Sequence, residues 1–135
     1  MVFNIEPYIS DKAIDCGPAS LKMLLSWYDI EADIETLRKD CKLSTVGCTA
    51  ADLKRAAKKH GLVTGVYKTD VDTLLSDTYP SICWWRKEHF LVFCGVDERG
   101  LVVCDPYKGR YRMSIEFFKL CYSGIAVSQT EEPLD

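Results

Sequence analysis

The stretch DCGPASLKMLLSWYDI, residues 15–30, sets the frame for the rest of the chain. Leu21, Leu24, Leu25 and Tyr28 fall at i, i+3, i+4 and i+7, the spacing of one apolar helix face. Pro18 suits a first helical position, where its fixed φ helps and its missing N–H costs nothing. Two further helices follow. Residues 33–41 have Asp33 as N-cap, with Ile34, Leu37 and Cys41 turned inward. Residues 49–60 open on Thr49 and Asp52, a variant capping box, and end at Gly61.

Beyond Gly61 the apolar period shortens to that of strands. Residues 62–68, 80–85, 89–96, 101–105 and 110–113 read as strands, and 71–75 as a short helix or turn. The charged run Arg86-Lys87-Glu88, the run 97–100 and Pro106-Tyr107-Lys108-Gly109 read as the turns between them. Ser114 caps a last helix to about Leu120, and 125–129 closes the sheet. Helices first and a mostly antiparallel sheet second describe an α+β fold. A chain of 135 residues, 47% hydrophobic, predicts a single domain over 1–135 with its core at about 10–128.

Composition narrows the partners. With a net charge of −3 and charges of both signs interleaved, no field is available to hold nucleic acid. Lys54-Arg55 and Lys58-Lys59 have helical spacing and read as a solvated face. No signal peptide is visible, and no apolar run reaches the roughly 18 residues of a membrane segment. The seven cysteines include no C-x-x-C pair, and Cys41 and Cys48 have no matching histidine pair. Neither metal nor cofactor is expected. Free thiols and a reducing, cytoplasmic setting are.

Three residues carry the chemistry. Cys16 stands at the mouth of the first helix, whose amides and dipole stabilise a thiolate. Gly17 leaves room there for a substrate backbone. On local context alone, a buried structural cysteine is an equal reading. Of the two histidines, His60 ends a helix and reads as a cover for it, whereas His89 joins a charged turn to the strand 90–93. A strand end holds a side chain rigidly at the sheet edge, where a cleft can form. Asp105 ends the next strand and would orient His89, with an Asp-Pro turn as its plainer role. The geometry sets a condition. If Val96 pairs with Leu101, then Asp105 faces Val92 and points away from His89, so a shared site requires a one-residue bulge near Gly95 or Gly100.

These pieces resemble the bacteriocin-processing cysteine peptidases, papain-like domains that cleave leader peptides after a double glycine. The matching segments are DCGPASLKMLLSWYDI at 15–30, GCTAADLKRAAKKHGL at 47–62, YPSICWW at 79–85, HFLVFCGVD at 89–97 and VVCDPYKG at 102–109. The resemblance implies a papain-like fold, a helical lobe packed on an antiparallel sheet with the cleft between. It makes Cys16 the nucleophile, His89 the general base and acid, and Asp105 the orienting acid. It also implies a peptide substrate with a leader helix, and a peptide-exporting ABC transporter as partner at the inner face of the membrane.

One position departs from the family pattern. A glutamine usually stands six residues before the cysteine and stabilises the oxyanion; here that residue is Ser10. The oxyanion site would then consist of the Cys16 backbone N–H, helped by Ser10, Asn4 or Lys12. One of the adjacent Trp84 and Trp85 is expected to face the cleft as a substrate contact, their other role being sheet packing. A domain that binds a leader without cutting it, and an acyltransferase working through the same thioester, remain as alternatives.

Overall fold

The computed structural model describes residues 1–130. A 3-10 turn, Ala13–Asp15, leads into α1 (Cys16–Trp27), followed by α2 (Ile34–Asp40) and α3 (Ala50–Lys59). Then come β1 (Thr64–Lys68), α4 (Val71–Ser76), β2 (Ser81–Trp85), β3 (His89–Asp97), β4 (Gly100–Asp105), β5 (Gly109–Met113), α5 (Ile115–Cys121) and β6 (Tyr122–Gln129). The expected α+β class stands. Helix α1 begins at Cys16 itself, two residues ahead of Pro18. The caps sit where the residue types placed them: Asp33 accepts from the Thr36 amide, Thr49 and Asp52 close a capping box, and Ser114 accepts from Phe117.

The six strands form one antiparallel sheet in the order β1-β6-β2-β3-β4-β5. The last strand therefore lies inside the sheet, between β1 and β2, rather than at its margin. Both faces are covered. Leu21, Leu24 and Leu25 of α1 pack with Leu37, Leu53 and the Ile82, Phe90 and Val92 face of the sheet. The opposite face, with Cys83, Leu91, Phe93 and Val103, packs under Phe3, Leu74 and Phe118. Two-sided burial explains why β2 and β3 read as nearly unbroken apolar runs.

The β3–β4 hairpin is irregular. Asp97 pairs with Gly100 and Val96 with Leu101, but Phe93 pairs with Val103 and Val92 with Cys104. The one-residue slip lies between Phe93 and Val96, at Gly95, whose φ is +99°. It puts Asp105 on the face of the sheet that also carries Leu91 and His89, meeting the condition set by the sequence.

Candidate active site

Three chain segments meet at one end of the sheet. The start of α1 brings Cys16, the start of β3 brings His89, and the end of β4 brings Asp105. All three line one cleft of about 520 Å³. Thr45, Val46 and Gly47 of the α2–α3 loop form one wall, and Trp85, Tyr111 and Phe117 another.

His89 and Asp105 are both nearly buried, and His89 Nε2 lies 3.2 Å from Asp105 Oδ2. Asp105 Oδ1 accepts the Tyr107 amide at 2.7 Å. Burial by itself raises a carboxyl, but these bonds and the histidine charge hold Asp105 below its usual range. Burial also pulls the imidazole down; the hydrogen bond to Asp105 and the neighbouring Cys16 sulfur, with their charges, outweigh it and lift His89 to about 9. The other ring nitrogen, Nδ1, is buried without a regular hydrogen-bond partner among the described residues. The Cys16 thiol acts on the same ring, and Cys16 is half-buried and free of any disulfide.

Tyr107, expected only as part of the 106–109 turn, belongs to the site. Its ring stacks on His89, centroids 4.5 Å apart and planes 24° from parallel, and its hydroxyl donates to the Ala13 carbonyl. His60, in contrast, bonds Asp40 through Nε2 at 2.8 Å and so ties α3 to α2, far from this chemistry.

Three expectations about the cleft change. Gly17 is buried and does not line it: a Cβ there would stand 2.4 Å from Cys48 Sγ and 3.4 Å from Leu53, so the glycine serves close packing. Of the tryptophans, Trp85 lines the cleft. Trp84 points to the helical face, packs on Phe90 at 4.6 Å and borders a separate cavity with Cys48 and Ile125. Ser10 is buried, and its single hydroxyl proton goes to Asp15 Oδ2 at 2.7 Å. It is thereby taken from any oxyanion, since a hydroxyl has one proton to give. Among the described residues no group of side chains is arranged to hold a metal ion.

The sequence profile of the Peptidase C39 family matches residues 7–133. Among curated relatives, the probable microcin-H47 secretion/processing ATP-binding protein MchF of Escherichia coli is 30% identical over 113 residues. That match takes in 84% of this chain and 16% of the relative. The transport/processing ATP-binding protein ComA of Streptococcus pneumoniae is 29% identical over 128 residues, 89% of this chain and 18% of its own. The chain thus spans under a fifth of these relatives' length. Two crystal structures superpose closely. A double glycine motif protease from an AMS/PCAT transporter, solved with its leader peptide, gives a TM-score of 0.89 at 29% identity, covering 93% of this chain and 91% of that one. The peptidase domain of Streptococcus ComA gives 0.87 at 30% identity, with 96% and 100% covered.

Proposed function

The chain belongs to the Peptidase C39 family, and from that premise we propose that it is a cysteine peptidase removing leaders from exported peptides, after a small or double-glycine site. The observation that carries the proposal is the single cleft holding Cys16, His89 and Asp105, with His89 bonded to Asp105 through one ring nitrogen only. The Cys16 thiolate attacks the scissile carbonyl to give a tetrahedral oxyanion. His89, an imidazolium at neutral pH, protonates the leaving amine as the thioester forms. Water then attacks the thioester, His89 takes one of its protons, and collapse of the tetrahedral intermediate releases the acid product and returns Cys16 as a thiolate beside the imidazolium. With the Ser10 proton held by Asp15, the Cys16 backbone N–H is the proposed oxyanion donor.

The substrate class follows from the relatives, whose names describe secretion and processing, and from the neighbour solved with a leader peptide. The proposed setting is the cytoplasmic face of a membrane, with a peptide-exporting ABC transporter as partner. No helix among the described residues is long and apolar enough to cross a membrane itself.

The commitment of Ser10 favours one rival, a domain that captures leaders without cutting them. Mass spectrometry of synthetic leader peptides with a Gly-Gly junction, incubated with wild type and Cys16→Ala, separates the two. Cleavage by wild type alone is expected. Peptides bound by both proteins and cut by neither would transfer the assignment to the binding domain.

A further inference from the structure

Asp15 precedes the nucleophile and occupies the N-cap of α1, yet it caps nothing. The other four α-helices each have an N-cap side chain accepting a first-turn amide: Asp33, Thr49, Asp70 and Ser114. Aspartate is among the best N-caps, so its failure to cap α1 needs a cause. Its φ of −82° and ψ of 2° carry the preceding 3-10 turn into the helix, unlike the extended backbone of the other four caps, and its side chain is taken by Arg38 on α2. The Arg38 Nε donates to Asp15 Oδ1 at 2.9 Å and its Nη2 donates to Oδ2, a two-pronged grip on a fully buried carboxylate. The Ser10 hydroxyl supplies the third bond, and Glu35 holds the far side of the guanidinium. The Ser10 amide in turn donates to the Pro106 carbonyl at 2.9 Å, next to Asp105. One chain of bonds therefore links α2, the turn that delivers Cys16 and the turn that delivers Asp105.

A carboxylate at the start of α1 would compete for the same amides that stabilise the Cys16 thiolate, and would add a like charge beside it. We infer that Arg38 is a positioning residue for Cys16: it holds the Asp15 carboxylate off the start of α1 and keeps the first amides of that helix open to the thiolate and the oxyanion. This rests on Cys16 being the nucleophile. Ser10, at the position where the family usually carries glutamine, contributes as part of the grip on Asp15.

The test is the rate of Cys16 alkylation by iodoacetamide at neutral pH, read by peptide mapping, with kcat and KM for a leader peptide alongside. Arg38→Met frees the carboxylate and should slow alkylation about tenfold, the effect of one like charge nearby. Asp15→Ala combined with Arg38→Met removes the competitor and should restore the rate to within about threefold of wild type, a non-additive pair. In the peptide assay the loss and the recovery should fall on kcat, with KM little changed. A merely structural role predicts the opposite, a double variant no faster than Arg38→Met. Should Arg38→Met fail to fold, Arg38→Lys, which keeps the charge and loses the fork, is compared with Asp15→Ala/Arg38→Lys in the same way. A double variant as slow as its single, or a single as fast as wild type, overturns the inference. If wild-type Cys16 is not labelled ahead of the other thiols, the nucleophile reading itself falls and takes this inference with it.

Discussion

His89 sits where two large effects oppose each other. Burial disfavours the imidazolium, while Asp105 on one side and Cys16 on the other favour it enough to lift the ring to about 9. In the proposed mechanism this is the proton given to the leaving amine, and it is held through neutrality and lost only in the alkaline range. Asp105→Asn removes the main opposing contribution and leaves burial in place, so the pKa must fall. The alkaline limb of kcat/KM, expected near 9 in the wild type, should move down by about one unit or more; pH–rate profiles of the two proteins check it. An unmoved limb would mean that Asp105 does not set the protonation of His89. At this scale the sequence already showed which residue types could serve. Tyr107 and Arg38 were not legible, because each acts on a partner that only folding brings near: the His89 ring across 18 positions, the Asp15 carboxylate across 23.

The bulge at Gly95 is the element on which the site depends. A regular β3–β4 ladder would turn Asp105 to the helical face of the sheet; the slip between Phe93 and Val96 turns it to the face of His89. Two features demand glycine there: φ is +99°, and a Cβ would come within 2.2 Å of the Met1 carbonyl oxygen, which the N-terminal segment lays against β3. Gly95→Ala is expected to cost about 1–3 kcal/mol in urea unfolding from backbone strain, with a larger loss of peptidase activity as the hairpin loses its slip. Retention of both stability and activity would show that the hairpin tolerates a different register. The need for a bulge was legible from parity alone, and Gly95 was one of two glycines that could supply it. Gly17 went the other way: its Gly-Pro setting suggested access for a substrate, whereas the packing partner Cys48 lies 31 residues on in the chain.

Across the whole molecule, the His89–Asp105 contact joins the start of one strand to the end of another and ties folding to pH. In the folded protein His89 titrates near 9 and in the unfolded chain near 6.5. Between those values the folded state holds a proton that the unfolded state has released, so stability falls as pH rises. The contribution is complete below about 6.5 and is lost as pH passes through about 9. Melting temperatures of wild type and His89→Gln across that range should converge from the acidic side, wild type losing its advantage. Parallel curves would contradict a raised His89.

Local chemistry determined much of this protein from sequence alone. The helix caps, the apolar period of α1, the runs that became β2 to β4, and the candidates Cys16, His89 and Asp105 all depend on neighbours within a few positions, which a sequence displays directly. Tertiary structure decided the rest. The place of β6 inside the sheet, the second core on the far face and the grip of Arg38 on Asp15 are each settled by groups distant in the chain. Which of them meet depends on burial and distance, and those exist only once the sheet has closed on the helices.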